Sequence, residues 1–241
     1  MDHLPPFSRA ALLLDMDGTL VDLAPTPDAV SVAPGLRDTL AALRQALSGA
    51  LAIVTGRPIE TVDRLFGDAP GAVAGEHGGA IRHAAGDPIE RVDLPSPPPH
   101  WLAEAETLVR SHPGALLERK ARGFALHYRA APNARDALRV ALDRLLGTGP
   151  GFELHPAHML WEVRPLGADK GSAVAALMQR CPFAGRLPIF IGDDVTDEDG
   201  MREARRRGGA GYRVDAVFRD PDGVRSWLRR SAELGDWAPL S

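Results

Sequence analysis

Residues 10–20 read Ala-Ala-Leu-Leu-Leu-Asp-Met-Asp-Gly-Thr-Leu, an apolar run that ends in two carboxylates. A short, continuous apolar run before a polar turn is typical of a strand buried on both faces of a parallel sheet. Asp15 and Asp17 would then lie at the carboxyl end of this strand, where open α/β sheets bind their ligands. Gly18 permits the tight turn that is needed there. The stretch therefore predicts both the centre of a sheet and a candidate site at its edge.

The segments on both sides of the chain's middle alternate between strand and helix. Apolar residues recur at helical spacing between Pro34 and Gly49, which are a proline near a helix start and a glycine after its end. Such alternation predicts a parallel sheet with crossover helices. The predicted strands are 11–14, 51–54 and 188–191, and the predicted helices are 34–47, 58–66, 170–179 and 197–207.

The middle of the chain has a different pattern. After the proline-rich connector 95–99, we predict helices over 101–111 and 134–146 and strands over 116–118, 124–128 and 159–163. Two strands, a helix and a further strand favour a small α+β domain with an antiparallel sheet. The predicted fold class is therefore α/β, with a doubly wound, Rossmann-like parallel-sheet core that carries an inserted α+β domain. The predicted boundaries are 1–90 and 166–241 for the core and 91–165 for the insert.

Composition excludes several classes of protein. The chain has 241 residues and a net charge of −4, so it has no basic surplus for binding nucleic acid or an anionic membrane. Its apolar runs are far shorter than the ~20 residues of a membrane span. The single Cys181 cannot form an internal disulfide, and the first residues lack the pattern of a signal peptide. We expect a cytoplasmic protein without nucleic-acid or membrane partners.

A second acidic cluster follows another apolar strand, where residues 192–199 read Gly-Asp-Asp-Val-Thr-Asp-Glu-Asp. Carboxylates this close repel each other unless a cation is present, and hard oxygen ligands suit Mg²⁺. A capping box between Thr196 and Asp199 is the alternative, but it leaves Asp193 and Asp194 unexplained. For the first cluster, a calcium loop is excluded because the positions that need glycine and glutamate carry Leu20 and Thr26.

Two further signals lie at the same predicted edge of the sheet. Thr55-Gly56-Arg57 ends the second strand, and its hydroxyl and N–H groups could bind phosphoryl oxygens. Lys170 begins a helix, where a cation is unfavourable unless it has an anionic partner. Taken alone, Thr55-Gly56-Arg57 is better interpreted as an ordinary strand-to-helix turn, and the alternative for Lys170 is a surface lysine at a helix start.

Four motifs in this order along the chain resemble the haloacid-dehalogenase superfamily of phosphotransferases: Asp15-x-Asp17-Gly-Thr, Thr55, Lys170 and Asp193-Asp194. In that superfamily the insert would be a cap domain. More narrowly, four further segments look like those of trehalose-6-phosphate phosphatases: 192–198 (Gly-Asp-Asp-Val-Thr-Asp-Glu), 118–129, 162–165 and 75–78. The chain departs from the family at Ala80, where members often carry an acid, and at Arg164, where lysine is also expected.

This resemblance implies an Mg²⁺-dependent phosphatase. Asp15 would attack the phosphorus atom, and Asp17 would act as general acid and then general base. Asp197 would support the cation site, and Thr55 and Lys170 would bind the phosphoryl group. The implied cation ligands are Asp15, the carbonyl of Asp17, Asp193 and, in support, Asp194. The residues implied to contact substrate are Gly56, Arg57, His77, Glu118, Lys120, Glu162 and Asp197. The expected substrate is trehalose 6-phosphate, and a transient contact with trehalose-6-phosphate synthase is an expected partner interaction.

Three other functions remain open on sequence alone. The first is another cap-bearing sugar phosphatase, for example of the sucrose- or glucosylglycerol-phosphate type, or a phosphomutase of the same superfamily. The second is a phospho-acceptor module like a receiver domain, which also combines Asp, Thr, Lys and Mg²⁺ but would leave the insert unexplained. The third is a trehalose-pathway protein that binds a synthase without catalysing a reaction.

Overall fold

The structure is a computed structural model that describes residues 3–24, 29–120, 122–147, 149–157 and 159–240. Strands and helices are numbered separately in chain order. The strands are β1 (Ala10–Leu14), β2 (Leu51–Val54), β3 (Ala72–Gly75), β4 (Ala80–Arg82), β5 (Glu90–Arg91), β6 (Leu116–Arg119), β7 (Phe124–His127), β8 (Phe152–Ala157), β9 (Leu160–Pro165), β10 (Leu187–Gly192) and β11 (Ala210–Arg213). The helices are α1 (Leu36–Ala46), α2 (Ile59–Phe66), α3 (Pro99–Ser111), α4 (Arg135–Leu146), α5 (Lys170–Leu177), α6 (Asp197–Arg206), α7 (Val214–Val217) and α8 (Pro221–Leu234).

The chain divides into two compact units, Met1–Val92 with Asp169–Ser241 and, between them in sequence, Asp93–Ala168. We call them the core unit and the inserted unit. None of the helices in the described part of the chain is long and apolar enough to cross a membrane.

The core unit is built on one sheet with strand order β11-β10-β1-β2-β3-β4-β5. The strands from β11 to β3 are parallel, and β4 and β5 extend the sheet antiparallel. All five residues of β1 are fully buried, as expected for a strand covered on both faces. Helix α5 packs against α6 and α1 packs against α8. The prediction of a doubly wound, mostly parallel sheet is thereby confirmed.

The register of this sheet brings three strand ends together. Leu14 at the end of β1 pairs with Ile191 on one side and Ile53 on the other. The residues that directly follow these positions therefore emerge at one edge of the sheet. That edge is where the sequence placed the acidic motifs and the Thr-Gly-Arg turn.

The inserted unit has an antiparallel sheet with strand order β6-β7-β9-β8. Alternate residues on one face, such as Phe124, Leu126 and Trp161, belong to its apolar core together with residues of α3 and α4. Because side chains alternate between faces, Glu118 and Glu162 lie on the opposite face. Both are aligned in register with Ala125 of β7.

The sequence missed several elements for identifiable reasons. Strands β4 and β5 have three and two residues, too few for a periodic pattern. Strand β8 contains Pro156, which normally argues against a strand, but β8 is an edge strand where proline is tolerated. Strand β11, also at an edge, has Gly211 in its short sequence. Strand β3 and helix α8 were not predicted either.

Candidate active site

The candidate site lies at the carboxyl edge of the core sheet. Asp15 follows β1, Thr55 follows β2, and Asp193 follows β10. Asp15 and Thr55 are almost completely buried, with exposed fractions of 4% and 1%. Residues 178 positions apart in sequence therefore meet at one edge because parallel strands end there together.

Lys170 is buried in this site, with only 4% of its surface exposed. Its Nζ lies 2.5 Å from Oδ1 of Asp15 and 2.5 Å from Oδ1 of Asp197. The helix start is capped by Asp169 and Ser172, which exchange side-chain and backbone hydrogen bonds in a capping box. A buried ammonium must be paired to be tolerated, so the alternative of a surface lysine is wrong. Burial alone would lower the pKa of Lys170, but the two carboxylates more than reverse this and raise it.

Asp197 organises the loop that carries the second acidic cluster. It is fully buried, and its Oδ2 accepts the backbone N–H groups of Asp193 at 3.1 Å and Asp194 at 2.9 Å. The alternative of a capping box is wrong, because Thr196 makes no side-chain capping hydrogen bond. The helix-starting carboxylate that matters is Asp197, and it bonds backward to the loop instead of forward into the helix.

Asp193 packs directly against the first motif. The hydroxyl of Thr19 lies 3.3 Å from Oδ2 of Asp15 and 3.4 Å from Oδ1 of Asp193, so it joins the two carboxylates. Gly18 has a φ of +76°, and a Cβ built on it would lie 2.2 Å from Oδ2 of Asp193. Only glycine therefore fits between the first motif and the second acidic cluster.

The site has an excess of negative charge that suits a cation. Carboxylate oxygens of Asp15, Asp193 and Asp197 all lie within 4.8 Å of one another. Burial raises the pKa of Asp15 well above its usual 3.8, and Asp197 adds to this; Lys170 opposes both without cancelling them. Burial, with Asp197 and Asp194, raises the pKa of Asp193 from 3.8 to about 6. A hard divalent cation would remove this cost, and the all-oxygen donor set fits one.

The positions of the predicted cation ligands are not equivalent. The Oδ1 and Oδ2 atoms of Asp197 already accept hydrogen bonds from Lys170 and from two backbone N–H groups. Asp15 accepts one hydrogen bond on each oxygen, from Lys170 and from Thr19. Among the described residues, the Asp193 carboxylate accepts only from Thr19, at 3.4 Å, so it has the most capacity left for a cation. Asp194 instead accepts the N–H of Val195 through Oδ1 at 2.7 Å.

Cation affinity is expected to fall as the pH drops below about 6. Under these conditions Asp193, with its pKa raised to about 6, holds a proton that must leave before the carboxylate can bind a cation. Release of one proton predicts an apparent Kd for Mg²⁺ that rises up to about tenfold per pH unit below this point. Calorimetric titration with Mg²⁺ at pH 5 and 7.5 measures the change. An Mg²⁺ affinity that is the same at both pH values would contradict the raised pKa of Asp193.

Asp17 is held by Arg57. Nε and Nη2 of Arg57 donate to the two oxygens of Asp17 at 2.7 Å each, which is the two-pronged geometry that suits a guanidinium and a carboxylate. The N–H of Arg57 also donates to Oγ1 of Thr55 at 3.2 Å. The turn after β2 therefore fixes the direction of Asp17, and contact of Arg57 with substrate stays a prediction.

The loop after β3 brings His77 to the same turn. His77 has a φ of +55°, an uncommon backbone conformation for a residue other than glycine. Its ring lies on Gly56, where an added Cβ would be 2.4 Å from Nε2 of His77. Gly56 is thus needed for close packing of the imidazole, and the expected substrate contacts of both residues stay predictions.

The predicted sugar-contacting residues of the inserted unit lie on one face of its sheet, where Lys120 forms an ion pair with Glu162 and Glu118 forms a hydrogen bond with His127. Nζ of Lys120 lies 2.6 Å from Oε1 of Glu162, and Nε2 of His127 lies 2.8 Å from Oε2 of Glu118. The hydrogen bond from His127 lowers the pKa of Glu118. Carboxylates can accept hydrogen bonds from sugar hydroxyls, and the ammonium of Lys120 can donate to them.

Two residues in contact with the site were missed by sequence reasoning. Thr19 belongs to the first motif, and its place beside two aspartates was the signal available for it. Arg213 at the end of β11 donates from Nη2 to the backbone carbonyl of Asp193 at 2.6 Å. No motif marks Arg213, because it lies 20 residues from its partner.

Comparisons with known proteins identify the family that this chain resembles in sequence. The family model described as trehalose-phosphatase matches residues 13–225. A probable trehalose-phosphate phosphatase of Sinorhizobium fredii is 43% identical over 85% of this chain and 77% of its own length. The trehalose-6-phosphate phosphatase of Escherichia coli is 38% identical over 86% of this chain and 78% of its own.

The fold also has relatives among solved structures. The C-terminal domain of trehalose-6-phosphate phosphatase from C. albicans superposes with a TM-score of 0.76, covering 94% of this chain and 93% of that domain, at 19% identity. At this identity the likeness concerns the fold alone. Since the family model spans most of the chain and two relatives exceed 30% identity over most of both lengths, the protein belongs to the trehalose-phosphatase family.

Proposed function

We propose that this protein hydrolyses trehalose 6-phosphate to trehalose and phosphate with Mg²⁺ as cofactor. The observation that carries the proposal is the buried Asp15–Lys170 pair beside a cluster of carboxylates, in a chain of the trehalose-phosphatase family. Catalysis of phosphoryl transfer depends mostly on positioning and on charge neutralisation. It therefore needs a nucleophilic carboxylate, a fixed ammonium and a cluster of carboxylates that can bind a cation. As a phosphatase of this kind the enzyme is a phosphoric monoester hydrolase.

In the first step a carboxylate oxygen of Asp15 attacks the phosphorus atom. The bond between phosphorus and the sugar oxygen breaks, and its electron pair stays on that oxygen. Asp17 donates a proton to the departing oxygen, so that neutral trehalose leaves and an aspartyl-phosphate remains on Asp15. Arg57 contacts both oxygens of Asp17 in the resting arrangement and must leave at least one of them for this proton transfer.

In the second step Asp17, now a carboxylate, removes a proton from a water molecule. The water oxygen forms a new bond to phosphorus, and the bond between phosphorus and Asp15 breaks. Inorganic phosphate leaves, Asp15 is again a carboxylate, and Asp17 holds the proton for the next cycle. A single residue can serve both steps because each consumes the protonation state that the other produces.

The charges around Asp15 fit this sequence. Lys170 would bind the phosphoryl oxygens while it remains paired with Asp197, and the hydroxyl of Thr55 would donate to the same group. When bound, Mg²⁺ would supply positive charge to the phosphoryl oxygens and keep Asp15 and Asp193 anionic. The acidic edge of the sheet can then accept a dianionic substrate without net repulsion.

We further propose that the inserted unit, residues 93–168, is a cap domain that recognises the sugar. Its charged face carries Glu118, Lys120 and Glu162, which could bind the hydroxyls of the glucose ring farther from phosphate. Carboxylates accept from neighbouring hydroxyls, and an ammonium can donate in three directions. Contact with a trehalose-6-phosphate synthase stays a prediction.

Replacing Lys120 with arginine is expected to weaken selectivity more than turnover. The planar fork of arginine cannot reproduce an ammonium that bonds Glu162 at 2.6 Å and still donates to sugar oxygens. We expect kcat/KM for trehalose 6-phosphate to fall about tenfold, the value of one charge-assisted hydrogen bond, with little change for glucose 6-phosphate. Steady-state kinetics on both substrates measure the ratio.

The neighbouring Arg119→Lys variant is a matched control for Lys120→Arg. Arg119 lies one residue earlier, is exposed, and pairs with Glu106 of α3. The control is expected to keep the wild-type ratio. Equal ratios in Lys120→Arg and wild type would exclude Lys120 from sugar recognition.

The activity itself is tested by phosphate release from trehalose 6-phosphate by the isolated chain. Turnover with Mg²⁺ that disappears on addition of a chelator and returns with fresh Mg²⁺ is the expected result. Absence of turnover would favour a non-catalytic, synthase-binding role. A long-lived phosphorylated protein without phosphate release would favour a receiver-like phospho-acceptor.

A further inference from the structure

Asp193 is held by its backbone from two opposite directions. Its N–H donates to Oδ2 of Asp197, whose other oxygen accepts from Lys170. Its carbonyl oxygen accepts from Nη2 of Arg213 at 2.6 Å. Asp197 belongs to the acidic motif, but Arg213 belongs to no motif and lies on a different strand. Because the backbone N–H and carbonyl of Asp193 are both fixed, its carboxylate can point in few directions.

Arg213 is itself fixed in place. Its Nε donates to Oδ1 of Asp215 at 3.0 Å, and its Nη1 lies 3.3 Å from Oε1 of Glu198. The register of the sheet pairs Arg213 with Gly192, the residue directly before Asp193. The guanidinium thus connects the end of β11, the start of α6 and the loop after β10. A planar group with several donors suits this three-way contact, and an ammonium does not.

We propose that Arg213 is a positioning residue for the cation site: it fixes the carbonyl of Asp193 and so aims the Asp193 carboxylate at the cation. This inference rests on the proposed function, because it assumes that Asp193 is a cation ligand. Partners that orient a metal ligand typically affect metal affinity about 10–100-fold when removed. The contribution of Arg213 is geometric, since its positive charge, taken alone, repels a cation.

Two variants separate geometry from charge. Arg213→Lys keeps the positive charge but loses the planar guanidinium with its several N–H donors, and Arg213→Met loses both the charge and the donors. We expect both variants to weaken Mg²⁺ binding about tenfold or more in calorimetric titrations, and to reduce the rise in Tm that Mg²⁺ causes. If Arg213→Met does not fold, the Mg²⁺ affinity of Arg213→Lys alone tests the inference.

Arg205→Lys is the matched control. Nη2 of Arg205, in α6, also donates to a backbone carbonyl of β11, that of Gly211, at 2.6 Å. Gly211 pairs with Phe190, which lies inside β10 before the acidic loop begins. We expect this variant to lower the Tm of the metal-free protein by as much as Arg213→Lys does, while its affinity for Mg²⁺ stays at the wild-type value.

Three results would overturn the inference. The first is wild-type affinity for Mg²⁺ in Arg213→Lys. The second is tighter binding in Arg213→Met, which would mean that charge alone matters. The third is an equal loss of affinity in Arg205→Lys, which would mean a general structural effect. Failure of the wild-type protein to bind Mg²⁺ would instead contradict the proposed function, so the two failures are distinguishable.

Discussion

Replacing Asp15 with asparagine is expected to reduce phosphate release from trehalose 6-phosphate by about 10⁴-fold or more. The amide oxygen of asparagine is a poor nucleophile, so no phosphoryl bond forms on residue 15. The fold is expected to survive, because Lys170 keeps Asp197 as a partner at 2.5 Å. Phosphate release under saturating substrate and Mg²⁺, with Tm measured on the same samples, tests both parts of this expectation.

Asp38→Asn is the matched control for Asp15→Asn. Asp38 is an exposed residue in the first turn of α1. The same chemical change there is expected to leave turnover at the wild-type level. If Asp15→Asn kept more than about a tenth of wild-type turnover, the covalent route would be wrong, since loss of a nucleophile costs far more.

Replacing Lys170 with arginine is expected to reduce kcat by about 10²–10³-fold although the positive charge is retained. Nζ of Lys170 fits between Asp15 and Asp197 in a site with 4% exposure, and a larger planar guanidinium cannot occupy it without displacing one of them. Because the lost interaction is with the phosphoryl group that reacts, kcat should fall more than KM rises. Steady-state kinetics give both values, and circular dichroism checks the fold.

The composition of the chain adds a reason to test this change. Only Lys120 and Lys170 are lysines among the 28 Lys and Arg residues, and both lie in predicted substrate contacts. If arginine were adequate at these positions, a chain so rich in it would be expected to use it there too. Near-normal kinetics for both Lys170→Arg and Lys120→Arg would mean that the location of the two lysines reflects composition bias alone.

The sequence predicted the parts of the site that follow directly from strand ends. Asp15, Thr55 and Asp193 each follow a continuous apolar run, and such runs are unambiguous when a strand is buried on both faces. The position of Lys170 at a helix start indicated a need for an anionic partner but left a surface lysine open, and the structure supplies two such partners. The sequence pattern thus predicted where these residues lie, whereas their roles were implied by the family resemblance and stay predictions.

Other features depend on contacts that sequence spacing does not reveal. The bonds from Asp197 back to the loop could not be distinguished from a capping box at Thr196, because both patterns place acids at a helix start. The pairing of Arg57 with Asp17 has no sequence signal, because the two residues lie 40 positions apart. Arg213 reaches the site only because β11 lies beside β10, and the short edge strand β11 has no pattern that predicts it.

The central claim is selective hydrolysis of trehalose 6-phosphate through Asp15, and one measurement tests it most directly. Phosphate release from trehalose 6-phosphate, glucose 6-phosphate and sucrose 6-phosphate is measured with Mg²⁺ for the wild-type and Asp15→Asn proteins side by side. We predict a kcat/KM at least about tenfold higher for trehalose 6-phosphate than for the other two in the wild type, and no release above background in the variant. Release from trehalose 6-phosphate that is no faster than from glucose 6-phosphate or sucrose 6-phosphate would contradict the claim.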